Sequence, residues 1–207
     1  NNNLEIPESL LNNIGIVYQN LGDYTTSLEY FNSSLRLAEE KDNQLDKGFA
    51  LGNISIVHSH LENYSEALEY LNKSLVILHS LGNRQAEANA HLNIGKAYRG
   101  LNNYNKAIES ELKALQIHEE ISDFSGKAST LLLIGEIYFS MGNYDSAKEY
   151  YVEGLRLAQN IGDSIKETQA YLLMGTLLAK TNNSAIALDN LFRALELAEK
   201  KKKKKDI

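Results

Sequence analysis

The chain has 207 residues, a formal net charge of −6, a single proline, Pro7, and no cysteine. A chain without cysteine has no disulfide scaffold, no cysteine-ligated zinc and no thiol nucleophile. Six lysines and one aspartate in residues 200–206 contribute +5, which leaves −11 on residues 1–199. An acidic body of this kind argues against binding to a nucleic-acid backbone.

From its first residues onward the sequence repeats with a period of 40 residues. A small residue marks the same point in each copy, at Gly15, Ser55, Gly95, Gly135 and Gly175. A second small residue follows twelve positions later, at Ser27, Ala67, Ala107, Ala147 and Ala187. A fixed period in the range of about 20 to 50 residues indicates stacked supersecondary units. The period predicts repeats at approximately 4–43, 44–83, 84–123, 124–163 and 164–199, followed by a lysine-rich helix end or linker at 200–207.

Each repeat has the pattern of two helices. In the third repeat, apolar residues occur at helical spacing in two blocks, 90–101 and 104–117, which Asn102 and Asn103 separate. Gly and Asn tolerate the left-handed backbone that ends a helix, and Asn or Asp caps the next one, so each unit is predicted to be an antiparallel helix hairpin. Glycine inside a helix costs about 1 kcal/mol relative to alanine. Its recurrence predicts that the paired helix, with its facing alanine or serine, approaches too closely for a β-carbon.

These residues resemble the tetratricopeptide repeat (TPR) motif, in which Gly is followed by Tyr three positions later and by Ala twelve positions later. Tyr18, Tyr98 and Tyr138 stand at the first of these positions. The 40-residue length, with Asn-x-Gly in the first helix, is similar to the extended subtype of Pins/LGN adaptors, kinesin light chains and bacterial TPR regulatory domains. The resemblance implies an all-α, right-handed superhelical solenoid of about five antiparallel helix hairpins, forming a single array over residues 1–207.

The two ends of the array depart from the pattern. The fifth copy has Leu178 and Ser184 where most copies have Tyr, so it either caps the array or has drifted. Residues 1–3 align with a turn between repeats and the chain starts with Asn1, so we expect a fragment of a longer protein. The run of lysines 200–205 should fray, because like charges four apart destabilise a helix. We interpret it as a solvated helix end or a charged linker, in preference to a nuclear-localisation or membrane-binding signal.

The resemblance places the first helix of each pair on the inner, concave surface. In the first three repeats, the residues at the spacing of this inner face are mostly polar: Asn13, Phe49, Asn53, Asn89, Asn93, Lys96 and Arg99. A ladder of carboxamides can donate to and accept from a peptide main chain, so these residues are predicted to bind peptide. In the alternative interpretation, the asparagines solvate the face or bond a neighbouring helix.

The same face becomes more apolar in the last two repeats. Its peptide-binding candidates there are Leu133, Glu136, Phe139 and Leu173, with Leu132 and Leu172 beside them. These residues suit the apolar anchors of a partner, or else the leucines pack under a missing C-terminal helix. A clamp for a C-terminal carboxylate is not favoured, because the first two repeats offer no Lys or Arg on this face.

The sequence offers little for catalysis. The five histidines lack a metal-binding spacing, and there is no nucleophile elbow and no phosphate-binding glycine loop. We therefore expect no enzyme activity, no cofactor, and no catalytic or metal-binding residue. No apolar run approaches the roughly 18 residues of a membrane span, and we expect a cytoplasmic location.

The functional prediction is a protein–protein interaction scaffold that binds a peptide or partner segment in the concave groove. The alternative is a sensory or regulatory TPR module of a larger bacterial signalling protein, with a kinase or cyclase domain outside this fragment. The expected partner is a protein or peptide ligand, with no nucleic acid and no membrane span. A homo-oligomer and a linked effector domain are both left open.

Overall fold

A computed structural model describes the backbone of residues 7–205 and the side chains of residues 7–200. Within these residues the chain forms ten α-helices and no strand, which confirms the predicted all-α class. The helices are α1 (Glu8–Asn20), α2 (Tyr24–Glu40), α3 (Gln44–His60), α4 (Tyr64–Ser80), α5 (Arg84–Gly100), α6 (Tyr104–Glu120), α7 (Phe124–Ser140), α8 (Tyr144–Ile161), α9 (Ser164–Lys180) and α10 (Ser184–Lys205). The predictions for residues 1–3, Asp206 and Ile207 lie outside the described residues.

The turns between the helices share one backbone geometry, in which a left-handed residue recurs every 20 positions. Glycine holds this place at Gly22, Gly82, Gly142 and Gly162, and other residue types hold it at Asp42, Glu62, Asn102, Ser122 and Asn182. The prediction of Gly or Asn is therefore too narrow. Glu62 and Ser122 take φ values of 61° and 57°, so the short connection between packed helices imposes the conformation even on residues that disfavour it.

The residue after each left-handed position is Asp or Asn, and it directly precedes the next helix. Asp23 Oδ1 accepts a hydrogen bond from the Thr26 N–H at 3.1 Å, and Asn143 Oδ1 accepts one from the Ser146 N–H at 3.2 Å. Each bond satisfies an N–H group that the first turn of a helix leaves unpaired, which confirms the predicted caps. Asn63 stands at the same position but makes no such side-chain bond.

The chain divides into two compact units, residues 1–107 and residues 108–207, with the boundary inside α6. In the first unit, Phe31 of α2 packs against Ile54 and Val57 of α3. All three side chains are 1% exposed or less. The first unit is therefore held by apolar contacts between a second helix and the first helix of the next pair.

The second unit has its own buried cluster. Leu132 of α7, Tyr151 of α8, and Ala170 and Leu177 of α9 belong to it. Leu132, Tyr151 and Ala170 are 1% exposed or less, so the centre of this cluster is closed to solvent. The core of this unit thus joins both helices of one pair to the first helix of the next pair.

The recurrent helix glycine lies where the two helices of a hairpin approach closely. A β-carbon at Gly15 would lie 2.5 Å from the Phe31 ring, and one at Gly135 would lie 2.5 Å from the Tyr151 ring. This confirms the predicted close approach but corrects its cause. The large residue sixteen positions later occupies the space, whereas the backbone oxygen of Ala147 would be 3.2 Å from the Gly135 β-carbon.

The backbone of the lysine run is helical rather than frayed, because α10 continues to Lys205. Ala187 and Ala194 anchor this helix with side chains that are 3% and 1% exposed. Repulsion between like charges four apart costs only a few tenths of a kcal/mol per pair, which is too little to end an anchored helix.

Candidate functional site

The first unit contains a pocket between α3, α4 and α5, called here the α3–α5 pocket. Its volume is about 350 Å³. Four of the predicted site residues line it: Phe49 and Asn53 on α3, and Asn89 and Asn93 on α5. Each pair is four residues apart and so lies on one face of its helix. The fold therefore brings together the residues at the centre of the predicted polar face.

The floor of the α3–α5 pocket is largely apolar. Leu71 and Leu78 of α4 are 1% and 3% exposed, and Ala90 of α5 is 5% exposed. Gly52 of α3 contributes no side chain, and a β-carbon there would meet only Ser74 Oγ, at 3.4 Å. The sequence pattern does not single out Gly52, because its role is to leave space between the helices.

The rim of the α3–α5 pocket carries the carboxamides. Asn53 Nδ2 donates to Asn12 Oδ1 of α1 at 3.0 Å, so one asparagine does bond a neighbouring helix, as the alternative interpretation expects. That bond uses one of the two N–H donors of Asn53 and orients its carboxamide. Asn89 is exposed and Asn93 half-buried on α5, while Asn13 is exposed on α1. Asn12 thus supports a residue of the rim, and the sequence pattern does not indicate this role.

The predicted basic residues lie on the C-terminal half of α5. Lys96 is exposed and Arg99 is half-buried. Burial, followed by the positive charge of Lys96, lowers the pKa of His60 at the C-terminal end of α3. Tyr24 stacks on His60 with ring centroids 5.5 Å apart. The charge of Lys96 therefore reaches the C-terminal end of α3.

In the second unit, the predicted residues lie on α7 and α9. Leu133 and Glu136 of α7 are half-buried, as is Leu173 of α9. The ring of Phe139 lies 5.5 Å from that of Tyr144, centroid to centroid, at an angle of 54°. Phe139 and Leu173 also pack against the buried cluster of this unit. These side chains are therefore positioned by the core, with part of their surface exposed.

Leu132 was expected on the inner face and is instead a core residue. Its side chain is 0% exposed and belongs to the buried cluster of the second unit. Leu132 is one of three consecutive leucines, and such a run carries no periodicity from which to choose the buried member. Leu172, the other leucine expected beside this face, is 48% exposed.

The charged and histidine side chains make local pairs. His79 of α4 lies 3.0 Å from Glu87 of α5, and His118 of α6 lies 3.1 Å from Asp123, the cap of α7. In the part of the chain that the structure describes, no group of three or more His, Asp or Glu side chains could hold a metal ion. Among the described helices, none combines the length and the apolar character needed to cross a bilayer.

Three known structures share this fold. A Signal Transduction ATPase with Numerous Domains (STAND) protein with a tetratricopeptide repeat sensor, from Pyrococcus horikoshii, has a TM-score of 0.82 and 22% identity over 92% of this chain and 29% of its own. BtubC (BKLC) from P. vanneervenii has a TM-score of 0.81 and 17% identity over 94% of this chain and 82% of its own. A Rap protein complexed with Competence and Sporulation Factor has a TM-score of 0.75 and 14% identity over 93% of this chain and 55% of its own. At these identities the likeness shows the fold alone.

Sequence models of one repeat family account for most of the chain. A model described as tetratricopeptide repeat matches residues 7–78 and 126–200, and a second model of the same description matches residues 88–120. No curated protein sequence matches the chain significantly. The matched ranges contain the recurrent glycines and the capped turns described above. The chain belongs to the tetratricopeptide repeat family.

Proposed function

We propose that this chain is a protein–protein interaction scaffold that captures a segment of a partner polypeptide against α3 and α5 of its first unit. The observation that carries the proposal is the α3–α5 pocket, where an apolar floor is flanked by Asn53, Asn89 and Asn93. Ligand sites commonly combine apolar walls with a few polar groups that fix orientation.

The asparagines supply the main-chain recognition. A carboxamide has two N–H donors and an oxygen acceptor, so it can pair with both polar groups of a peptide unit whatever the side chain. Asn53 is held by its 3.0 Å bond to Asn12, and an oriented group loses less conformational entropy when it binds. Phe49, which is 36% exposed, adds an apolar surface beside these amides.

Residues at the ends of this inner face favour further chemical groups in the partner segment. Lys96 and Arg99 on α5 favour acidic groups in the partner segment, and the effect of Lys96 on the pKa of His60 supports a local positive potential. Asn13 of α1 extends the set of carboxamides in the first unit.

The second unit supplies a separate contact surface of different chemistry. Leu133, Phe139 and Leu173 are partly exposed apolar side chains, and Glu136 stands among the residues of α7. We assign to this surface an apolar part of the partner. The likeness to a Rap protein complexed with Competence and Sporulation Factor supports a binding role for a chain of this fold.

The proposal is tested with peptides selected from a displayed randomised library on the wild-type chain. Isothermal titration then compares a selected peptide on the wild type and on the Asn53→Ala/Asn93→Ala double variant. We expect the double variant to bind about tenfold or more weakly, because each lost hydrogen bond contributes roughly 1 kcal/mol.

Asn72→Ala/Asn105→Ala is the matched control, since both of these asparagines are exposed on second helices away from the pocket. The control should bind as the wild type does. Equal affinity of the Asn53→Ala/Asn93→Ala variant and the wild type for every selected peptide would overturn the proposed groove.

A second candidate is a sensory or regulatory module of a larger signalling protein. The observation that favours it is the likeness to the STAND protein with a tetratricopeptide repeat sensor, of which this chain covers 29%. Sequencing the coding region on both sides of this chain tests it. A kinase or cyclase domain after Ile207 would support this candidate, and a stop codon there would count against it.

A further inference from the structure

The α3–α5 pocket has a counterpart in the second unit. A shift of 80 residues, which is two repeats, relates α3, α4 and α5 to α7, α8 and α9. The shift pairs Gly52 with Leu132 and Ser74 with Gly154. The two sets of helices therefore differ at the positions that decide how the space between them is filled.

In the second unit, a leucine fills that space. Leu132 is 0% exposed and packs with Tyr151, Ala170 and Leu177. Its Cδ2 lies 2.7 Å from the place that a β-carbon on Gly154 would take, so the fit requires glycine on the facing helix. In this unit, a leucine that is faced by a glycine thus occupies the space between the three helices.

In the first unit, no side chain takes that position. Gly52 stands where Leu132 stands in the second unit, and the nearest atom to a β-carbon there is Ser74 Oγ, at 3.4 Å. The apolar walls remain, with Leu71 and Leu78 almost fully buried. The resulting space has a volume of about 350 Å³, within the roughly 300–1,000 Å³ typical of ligand pockets, so it has room for an aliphatic side chain.

We propose that the α3–α5 pocket binds one leucine-sized aliphatic side chain of the partner segment. This inference rests on the proposed function and specifies its anchor. The inserted side chain lies over Gly52 against Leu71 and Leu78, while Asn53 and Asn93 at the rim bond the main chain on either side of it. A charged side chain is rejected, because the apolar floor offers no partner for its charge.

The decisive variant is Gly52→Leu, which supplies the occupant from within the chain. We expect it to abolish binding of the selected peptides. The leucine side chain must turn away from Ser74, which stands where Gly154 faces Leu132, and into the open part of the pocket. A loss of binding by a variant that still unfolds in one cooperative transition separates occupation of the pocket from unfolding. Gly52→Ala adds only a β-carbon and should weaken binding less than Gly52→Leu.

The peptide supplies the reciprocal test. Peptides selected on the wild type should share an aliphatic residue at one position, and replacing it with Ala should weaken binding about tenfold to a hundredfold. Replacing it with Asp should weaken binding further. Each peptide is measured on the wild type, on Gly52→Leu, and on Asn53→Ala/Asn93→Ala.

The outcomes separate this inference from the proposed function. Full binding to Gly52→Leu with weak binding to Asn53→Ala/Asn93→Ala would overturn the anchor pocket and retain the groove. Full binding to the double variant with loss on Gly52→Leu would retain the pocket and overturn main-chain recognition by the asparagines. Selected peptides without a shared aliphatic residue would overturn the inference, as would failure to select any peptide on the wild type.

Discussion

Two regions of the molecule, α3–α5 in the first unit and α7–α9 in the second, are built from the same repeat and present different surfaces. At the floor, Gly52 leaves the α3–α5 pocket open, whereas Leu132 closes the corresponding space. At the rim, Asn53 and Asn93 correspond to Leu133 and Leu173. The first region therefore offers amides around a cavity, and the second offers aliphatic side chains around a filled core.

The difference shows how a helix hairpin can gain an open pocket without changing its framework. The framework depends on the glycine that accommodates a large side chain, as Gly135 accommodates Tyr151, and on the capped turns. Position 52 lies outside that set, so the side chain there can vary, together with the residue that faces it, between filling and opening the space. Stability and the proposed binding thus depend on different residues of the same helix.

The largest effect on stability is expected for Leu132→Gly, which removes the side chain that fills the space between α7, α8 and α9. We expect a loss of about 3–6 kcal/mol in the free energy of unfolding, because removing a buried leucine costs about 2–5 kcal/mol and a helical glycine roughly 1 more. Urea denaturation measures it. Leu172→Gly is the matched control, since Leu172 is 48% exposed and should lose little beyond the glycine penalty. A similar loss in both variants would contradict the assigned core position of Leu132.

A smaller loss is expected for Gly135→Ala. The added β-carbon would lie 2.5 Å from the Tyr151 ring, which is 1% exposed and enclosed by the core. Overpacking of this kind costs about 1–3 kcal/mol and outweighs the roughly 1 kcal/mol gained in helix propensity. We expect a net fall in the free energy of unfolding, measured by denaturation. A rise would show that the ring moves aside without penalty.

The same substitution at Gly52 should change the free energy of unfolding in the opposite direction. A β-carbon there meets only Ser74 Oγ, at an ordinary contact distance of 3.4 Å. Gly52→Ala should therefore raise the free energy of unfolding by about 0.5–1 kcal/mol, which is the helix-propensity difference. Denaturation of Gly52→Ala and Gly135→Ala side by side tests the comparison. A change of the same sign in the free energy of unfolding of both variants would refute it.

The smallest effect concerns His60, whose counterpart in the second unit is Ser140. Burial and then the charge of Lys96 lower the pKa of His60 below its ordinary value of 6.5. The unfolded chain then binds a proton more readily than the folded one, so this contribution to stability is present above pH 6.5 and is lost as the pH falls through the lowered pKa.

Lys96→Gln should raise the pKa of His60 partway, because burial remains. Titration of the His60 imidazole by NMR measures the shift. An unchanged pKa would show that the charge of Lys96 does not reach the end of α3, and would remove the support for an acidic preference there.

Much of the fold follows from the sequence because it is local and repeated. The hairpins, the helix caps at Asp23 and Asn143, and the close approach at Gly15 all depend on spacing within 40 residues. The left-handed turns at Glu62 and Ser122 do not follow, because packing between helices imposes them on unsuited residues.

Less of the candidate site than of the fold can be predicted from the sequence. Phe49 and Asn53 share a face by helical spacing, so their common lining of the pocket was predictable. Asn53 of α3 donates a hydrogen bond to Asn12 of α1. Whether these two side chains meet depends on how the two helices are rotated relative to each other. Gly52 contributes by leaving space between the helices. Leu132 is one of three consecutive leucines, and the sequence pattern does not show which of them is buried in the core. Such contributions appear only when three helices are placed together.

The most direct test is a crystal structure of the chain bound to a peptide selected on the wild type. We expect an aliphatic side chain between α3 and α5 over Gly52, with the Asn53 and Asn93 carboxamides within hydrogen-bond distance of the peptide main chain. A peptide bound elsewhere, or one that crosses α3 and α5 without entering the pocket, would contradict this assignment.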